Sequence, residues 1–136
     1  MEGPLVFNKV LIVEDEPLLR DLIASHLSIN GFNVIEAANG VDCIKQVERA
    51  MPDLILLDLN MPIMSGAGVL RKLRDMGAEC PVIMITACND PSKLSEIQAL
   101  GAVDILSKPF SLSAVSIEVR KHLNSQFTST PKPSIS

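Results

Sequence analysis

The chain has 136 residues, of which 47% are hydrophobic, and its formal net charge is −4. This length predicts a single domain with a buried core, and the apolar fraction excludes a disordered chain. Basic residues occur only in small groups, such as the one at Arg71, Lys72 and Arg74. Direct binding of nucleic acid is therefore not expected.

Localisation is predicted from features that the sequence lacks. No uncharged apolar run approaches the roughly 20 residues that cross a bilayer. No signal-peptide pattern opens the chain. The three cysteines, Cys43, Cys80 and Cys88, have neither disulfide nor metal-ligand spacing. We therefore expect a cytoplasmic protein that does not bind membranes.

Five apolar runs alternate with five segments of helical periodicity. In chain order the runs are KVLIV (9–13), FNVIEA (32–37), DLILLD (53–58), PVIMIT (81–86) and AVDILS (102–107), and the helical segments are 17–29, 40–50, 66–76, 91–100 and 112–123. The first, third and fourth runs are apolar almost throughout, which is typical of strands buried on both faces of a sheet. The alternation predicts an α/β fold, with a parallel sheet covered by helices on both faces.

Local signals mark several helix ends. Pro17 lies in the first turn of its helix, where a missing N–H is tolerated. Asn39 is a suitable N-cap, and Asp15 can cap the helix that follows it. Gly66 is interpreted as supplying backbone freedom to its loop, and Gly101 ends the fourth helix.

The domain is predicted to span residues 8–124, after a short N-terminal extension (1–7). The last dozen residues, SQFTSTPKPSIS (125–136), are rich in Ser, Thr and Pro and have almost no periodicity. They predict a disordered tail or the start of a linker.

Polar side chains stand where four of the five predicted strands end. They are Glu14 and Asp15 after the first run, Asp58 at the end of the third, Thr86 at the end of the fourth and Lys108 after the fifth, whereas the second run ends in Ala37 and Ala38. Ligands of open parallel sheets bind beyond the carboxyl ends of the strands. A strand order of 2-1-3-4-5 would place the second run at the outer edge and bring the other four ends together.

Three carboxylates in one pocket repel one another, by about 4 kcal/mol for two charges ~4 Å apart at an effective dielectric of ~20. Protonation of one acid or a divalent cation would offset this repulsion. No His or Cys stands at these strand ends, so Mg²⁺ fits better than zinc. Lys108 and Thr86 would stabilise the negative charge of an incoming phosphoryl group. Asp58 could accept that group as an acyl phosphate.

These residues lie in motifs that resemble those of the receiver domains of two-component response regulators. The motifs are VEDE (13–16), LLDLNMPIMSG (56–66), MITA (84–87) and SKPF (107–110). Each is weak alone, but the ordered set, which covers about residues 8–124, is specific. The resemblance implies a flavodoxin-like (βα)5 doubly wound sheet with strand order 2-1-3-4-5.

The resemblance also implies a metal site around the phosphoacceptor. In this sequence Asp58 matches the phosphoacceptor and Asp15 the direct Mg²⁺ ligand. Glu14 matches the neighbouring acid that acts through water, and Asn60 the residue whose backbone carbonyl completes the site.

Other positions match the residues that contact the phosphoryl group and transmit the signal. Thr86 and Lys108 match the pair that contacts the phosphoryl oxygens, and Pro109 the residue whose preceding peptide bond is cis. Ile105 stands where receivers commonly have Tyr or Phe, so the usual aromatic switch is absent here.

The implied function is that of a phospho-accepting switch, which catalyses its own phosphorylation and is not an enzyme acting on a separate substrate. The implied partners are a sensor histidine kinase or phosphotransfer protein, which donates the phosphoryl group, and a downstream effector domain or protein. Homodimerisation through the fourth helix, fifth strand and fifth helix is common in such domains. His26 and His122 are interpreted as packing or surface histidines, and Cys88 as an exposed thiol.

Three alternatives stay open at this point. A degenerate receiver could act as a docking module without phosphorylation, and Ile105 is compatible with that role. An aspartyl-phosphate phosphatase of the haloacid-dehalogenase type would need a second Asp where this chain has Asn60. A flavodoxin-like FMN binder would have to place a phosphate beside Glu14, Asp15 and Glu16, which would repel it.

Overall fold

The computed structural model describes residues 8–87 and 89–128, with side chains up to Leu123. The predicted N-terminal extension (1–7), the last part of the predicted tail (129–136) and Cys88 lie outside the described residues.

Five strands alternate with five helices in the predicted order. The strands are β1 (Lys9–Val13), β2 (Asn33–Ala37), β3 (Leu54–Asp58), β4 (Val82–Thr86) and β5 (Asp104–Ser107), and the helices are α1 (Pro17–Ile29), α2 (Gly40–Arg49), α3 (Gly66–Asp75), α4 (Pro91–Ala99) and α5 (Leu112–Thr128). All neighbouring strands pair in parallel, in the order β2-β1-β3-β4-β5. The predicted fold class and strand order are confirmed.

The sheet separates two apolar clusters, and β3 contributes to both. Ile55 and Leu57 face the cluster that includes side chains of α2, α3 and α4. Leu54 and Leu56 face the cluster that includes side chains of α1 and α5. All four are fully buried, and burying each such side chain stabilises the fold by about 1.5–3 kcal/mol. The strand is therefore held firmly on both faces, and Asp58 at its end has a well-defined position.

The helix starts differ in how their backbone N–H groups are satisfied. The side chain of Asn39 accepts a hydrogen bond from the Asp42 N–H at 2.8 Å, which confirms Asn39 as the N-cap of α2. The expectation that Asp15 caps α1 is wrong. The N-cap of α1 is Glu16, and it makes no side-chain capping bond. Because Pro17 occupies the first turn and lacks an N–H, there is one donor fewer to satisfy there.

Helix α5 extends further than predicted, to Thr128, and so includes four residues that the sequence assigned to a tail. The apolar periodicity of the sequence ends at Leu123, and it therefore predicts a shorter helix. Ser and Thr weaken a helix but do not stop it, and the first proline after the start of α5 is Pro131. None of the helices described has the length and apolar character needed to span a membrane.

Candidate functional site

Three carboxylates meet at the carboxyl edge of the sheet. Glu14 and Asp15 directly follow β1, and Asp58 is the last residue of the adjacent strand β3. One oxygen from each of the three groups lies within 4.8 Å of the other two. Glu14 and Asp58 are each only 1% exposed to solvent. The edge therefore concentrates negative charge where water screens it poorly.

Lys108 supplies a positive charge to this cluster. Its Nζ lies 3.6 Å from Asp58 Oδ2 and 3.8 Å from Glu14 Oε1. The backbone N–H of Lys108 donates to the carbonyl oxygen of Thr86 at 2.8 Å, which joins the loop after β5 to the end of β4. The peptide bond between Lys108 and Pro109 is cis, as the resemblance implied.

Thr86 and Asp58 are connected through Asn60. The Thr86 hydroxyl donates to Asn60 Oδ1 at 3.2 Å, and the Asn60 backbone N–H donates to Asp58 Oδ1 at 3.1 Å. Thr86 is fully buried. The hydroxyl therefore lies at the pocket but is engaged by the side chain of Asn60.

Burial dominates the protonation behaviour of the two inner acids. The pKa of Glu14 is raised from 4.5 to about 7, first by burial and then by the charge of Asp58, while Lys108 opposes the shift. The pKa of Asp58 is also raised by burial, against the lowering effects of the Asn60 N–H and the Lys108 ammonium. Two buried acids with one lysine between them thus retain a proton more readily than exposed acids do.

The same acids suit a hard divalent cation. Glu14 Oε1 is buried and has no hydrogen-bond partner among the described residues. All the candidate ligand atoms are carboxylate oxygens, which Mg²⁺ prefers. An ion at this site would offset the repulsion among the acids and bind the oxygen that has no hydrogen-bond partner. The residues present therefore fit Mg²⁺.

Ile105 lies apart from this pocket. It is partly buried and packs against the apolar cluster formed with α2, α3 and α4. In the sheet it is paired with Met84, two residues before Thr86. Of the residues singled out in the sequence, the structure brings together Glu14, Asp15, Asp58, Asn60, Thr86 and Lys108.

Arg20 supports the site and was missed in the sequence. Its Nη1 donates to the backbone carbonyl of Glu14 at 2.7 Å, and its Nε lies 3.2 Å from Glu36 Oε1 on β2. It thereby ties the acidic loop to the first turns of α1. A single arginine in an amphipathic helix carries no signal for this role, because its partner is a carbonyl group.

Gly66 contributes through close packing and not through backbone freedom, which corrects its interpretation from the sequence. Its φ angle is not in the left-handed region. A Cβ at this position would lie 2.6 Å from Leu59 Cα and would also collide with the carbonyl oxygen of Asp58. The Gly66 N–H donates to the Leu59 carbonyl at 2.8 Å. Glycine thus allows the start of α3 to pack directly against the chain that carries Asp58.

The doubly wound sheet, with three acids, a threonine and a lysine at its carboxyl edge, defines an α/β phosphoacceptor domain. Sequence comparison identifies the family: the model of the response regulator receiver domain matches residues 10–120. The chain belongs to this family, and it is a receiver domain of two-component signal transduction.

Individual relatives agree with this assignment. The chain is 38% identical over 116 residues to the probable transcriptional regulator ycf27 of Porphyridium aerugineum. This aligned region covers 85% of the chain and 48% of the relative. It is 33% identical over 118 residues to the chemotaxis protein CheY of Bacillus subtilis. This aligned region covers 86% of the chain and 98% of CheY. The chain thus spans about half of the first relative and nearly all of the second.

Solved structures show the same fold. The crystallised chemotaxis protein CheY4 of Vibrio cholerae superimposes with a TM-score of 0.80 at 30% identity, over 85% of this chain and 98% of CheY4. A CheY-like receiver domain from Methanospirillum hungatei has a TM-score of 0.85 at 23% identity, and this likeness supports the fold alone.

Proposed function

We propose that Asp58 accepts a phosphoryl group from a phosphohistidine, in the presence of Mg²⁺, in the cytoplasm. The donor would be a sensor histidine kinase or a phosphotransfer protein. The observation that carries the proposal is the position of Asp58: a buried carboxylate at a strand end, 3.6 Å from the Lys108 ammonium and beside two further acids. This arrangement supports a nucleophile whose charge is balanced by its neighbours.

The transfer replaces a phosphorus–nitrogen bond of the donor histidine by a phosphorus–oxygen bond to Asp58. A carboxylate oxygen of Asp58 forms a bond to phosphorus, and the bond from phosphorus to the histidine nitrogen breaks. The bonding electrons stay with the imidazole, which then takes up a proton from solvent. Hydrolysis later restores the Asp58 carboxylate. The oxygen of a water molecule bonds to phosphorus, the bond from phosphorus to the Asp58 oxygen breaks, and inorganic phosphate leaves while a proton passes to solvent.

Each neighbouring residue has a role in this step. Lys108 stabilises the charge of the phosphoryl oxygens, since its Nζ already contacts Asp58. Glu14, Asp15 and Asp58 would hold Mg²⁺ together with the Asn60 backbone carbonyl. When bound, Mg²⁺ neutralises charge on the carboxylates and on the phosphoryl oxygens. Arg20 is a positioning residue, because it fixes the carbonyl of Glu14 and so the acidic loop.

The phosphorylated state would be transmitted by Thr86. To donate to a phosphoryl oxygen, its hydroxyl must leave Asn60, and this displaces the end of β4. Ile105 lies on the neighbouring strand, so a change at β4 reaches the surface made by α4, β5 and α5. A downstream effector would bind this surface in one of the two states, and the surface could also form a homodimer. The domain would then be a switch that catalyses its own phosphorylation and dephosphorylation.

The test is incubation with acetyl phosphate and Mg²⁺, followed by intact-mass measurement of wild type, Asp58→Asn and Asp75→Asn. Asp75 is an exposed acid at the end of α3 and serves as the matched control. Wild type and Asp75→Asn should each gain the mass of one phosphoryl group, and Asp58→Asn should gain none. An equal gain in Asp58→Asn would remove Asp58 from the mechanism.

The alternative of a docking module that works without phosphorylation rests on Ile105 alone. It would be supported by a wild-type protein that gains no mass. The phosphatase alternative is not favoured, because the Asn60 side chain carries no carboxyl proton to donate and its oxygen accepts from Thr86.

A further inference from the structure

A second group of metal-ligating side chains lies away from Asp58, between β5 and α5. Asp104 is the first residue of β5, and Glu118 and His122 stand four residues apart on one side of α5. One ligand atom from each residue lies within 4.8 Å of the other two. In the sheet Asp104 pairs with Ile83, whereas Thr86 pairs with Ser107, so the group lies about 10 Å along the strand from the carboxyl edge.

The distances in this group match those within one coordination sphere. His122 Nε2 lies 3.2 Å from Asp104 Oδ2 and 3.8 Å from Glu118 Oε1. Ligand atoms that are each about 2.1 Å from a tetrahedral ion lie about 3.4 Å from one another. An ion could therefore be placed among the three atoms with small side-chain adjustments.

One carboxylate oxygen of the group has no hydrogen-bond partner among the described residues. A neutral imidazole carries a single N–H, and Nε2 lies closest to Asp104 Oδ2. Glu118 Oε1 is buried and has no hydrogen-bond partner among the described residues. Its other neighbour is Lys121, whose Nζ lies 3.7 Å away on a largely exposed side chain. Glu118 Oε1 therefore has only longer ion-pair contacts, and an ion bound among the three side chains would approach it more closely.

We propose that Asp104, Glu118 and His122 bind a divalent transition-metal ion of the zinc class. One imidazole nitrogen and two carboxylate oxygens are the ligands of such ions, whereas Mg²⁺ prefers oxygen alone. Binding through Nε2 requires the neutral imidazole tautomer that carries its proton on Nδ1, so the ring remains neutral. Because the three side chains are partly exposed, the remaining coordination position is open to water. The ion would fasten α5 to the amino end of β5, independently of the pocket around Asp58.

The experiment is calorimetric titration of the full 136-residue chain with ZnCl₂ in the presence of excess Mg²⁺. Wild type should bind one zinc ion, and its melting temperature should rise when zinc is added. His122→Gln and Glu118→Gln each remove one ligand and should weaken binding by at least about tenfold. His26→Gln, which changes the other histidine, and Asp58→Asn, which changes the other acidic pocket, should bind zinc like wild type.

Three results would overturn the proposal. The first is that wild type does not bind zinc. The second is that both His122→Gln and Glu118→Gln bind zinc like wild type. The third is that Asp58→Asn loses zinc binding while His122→Gln retains it. In the last case zinc would occupy the pocket at the strand ends. The melting temperature of each variant is measured first without zinc. The rise on adding zinc is then taken relative to the same variant, which is shown in this way to be folded.

Discussion

The hydroxyl of Thr86 on β4 donates a hydrogen bond of 3.2 Å to Asn60 Oδ1. Asn60 lies two residues after Asp58, the last residue of the neighbouring strand β3. The backbone N–H of Asn60 in turn donates to Asp58 Oδ1. One residue thus connects the proposed phosphoacceptor to the hydroxyl that would sense its phosphorylation. In the proposed mechanism, phosphorylation of Asp58 would require the Thr86 hydroxyl to leave this bond.

This relationship predicts energetic coupling between Asn60 and Thr86. In a double-mutant cycle with Asn60→Ala and Thr86→Val, the coupling energy in the unphosphorylated protein should be about 1 kcal/mol, the net contribution of one hydrogen bond. Urea unfolding of the four proteins measures it. If the two substitutions are additive, the bond does not contribute to the unphosphorylated state.

The raised pKa of Glu14 predicts how the free energy of unfolding depends on pH in the absence of Mg²⁺. Because burial and the charge of Asp58 raise its pKa from 4.5 to about 7, the folded protein keeps a proton that the unfolded chain releases. The stabilisation from this group is complete below about pH 4.5 and is lost as the pH rises through about 7. Glu14→Gln should therefore lose less stability than wild type between about pH 5 and about pH 8.

The measurement is the free energy of unfolding in urea with EDTA at both pH values. Glu48→Gln is the control, since Glu48 is an exposed glutamate of α2 and its replacement should leave the wild-type pH dependence in place. A Glu14→Gln variant with the full wild-type loss of stability would show that Glu14 is not the group responsible.

Mg²⁺ should reverse this loss. The ion relieves repulsion among Glu14, Asp15 and Asp58 only where they are brought together by folding, so it should raise the melting temperature. Protons compete for the same oxygens, and the rise should therefore be larger above pH 7 than near the ordinary pKa of a carboxylic acid. Asp15→Asn should show a smaller rise in a thermal-unfolding assay. An equal rise in this variant would indicate that Mg²⁺ acts elsewhere.

The backbone conformation of Ile63 predicts that a substitution at this position can stabilise the protein. It has a φ angle of +71° and its side chain is fully exposed, so a β-branched residue occupies the left-handed region without compensating burial. Ile63→Asn should raise the free energy of unfolding by about 1 kcal/mol, because Asn tolerates this conformation. Ile63→Val keeps the β-branch and should give no gain. Equal stability of the two variants in urea would contradict the strain at this position.

Much of the fold was determined locally by the sequence. Strand β1 and helix α1 have the predicted bounds, because buried strands and amphipathic helices leave periodic patterns in the residues themselves. The candidate site was predictable for a related reason. Parallel strands place all their carboxyl ends at one edge, so polar residues after β1, β3, β4 and β5 could be assigned to one pocket without coordinates.

Tertiary structure decided which atoms in that pocket are partners. The bond from Thr86 to Asn60 and the contact of Arg20 with the Glu14 carbonyl depend on ångström-scale geometry between separate elements. Gly66 is required by its packing against the backbone of Leu59, which no glycine signal reveals. Glu118 and His122 have a helical spacing that is visible in the sequence, but only the packing of α5 on β5 brings Asp104 to them. Periodicity records which face of an element is buried, whereas distances between elements arise only when the whole chain has packed.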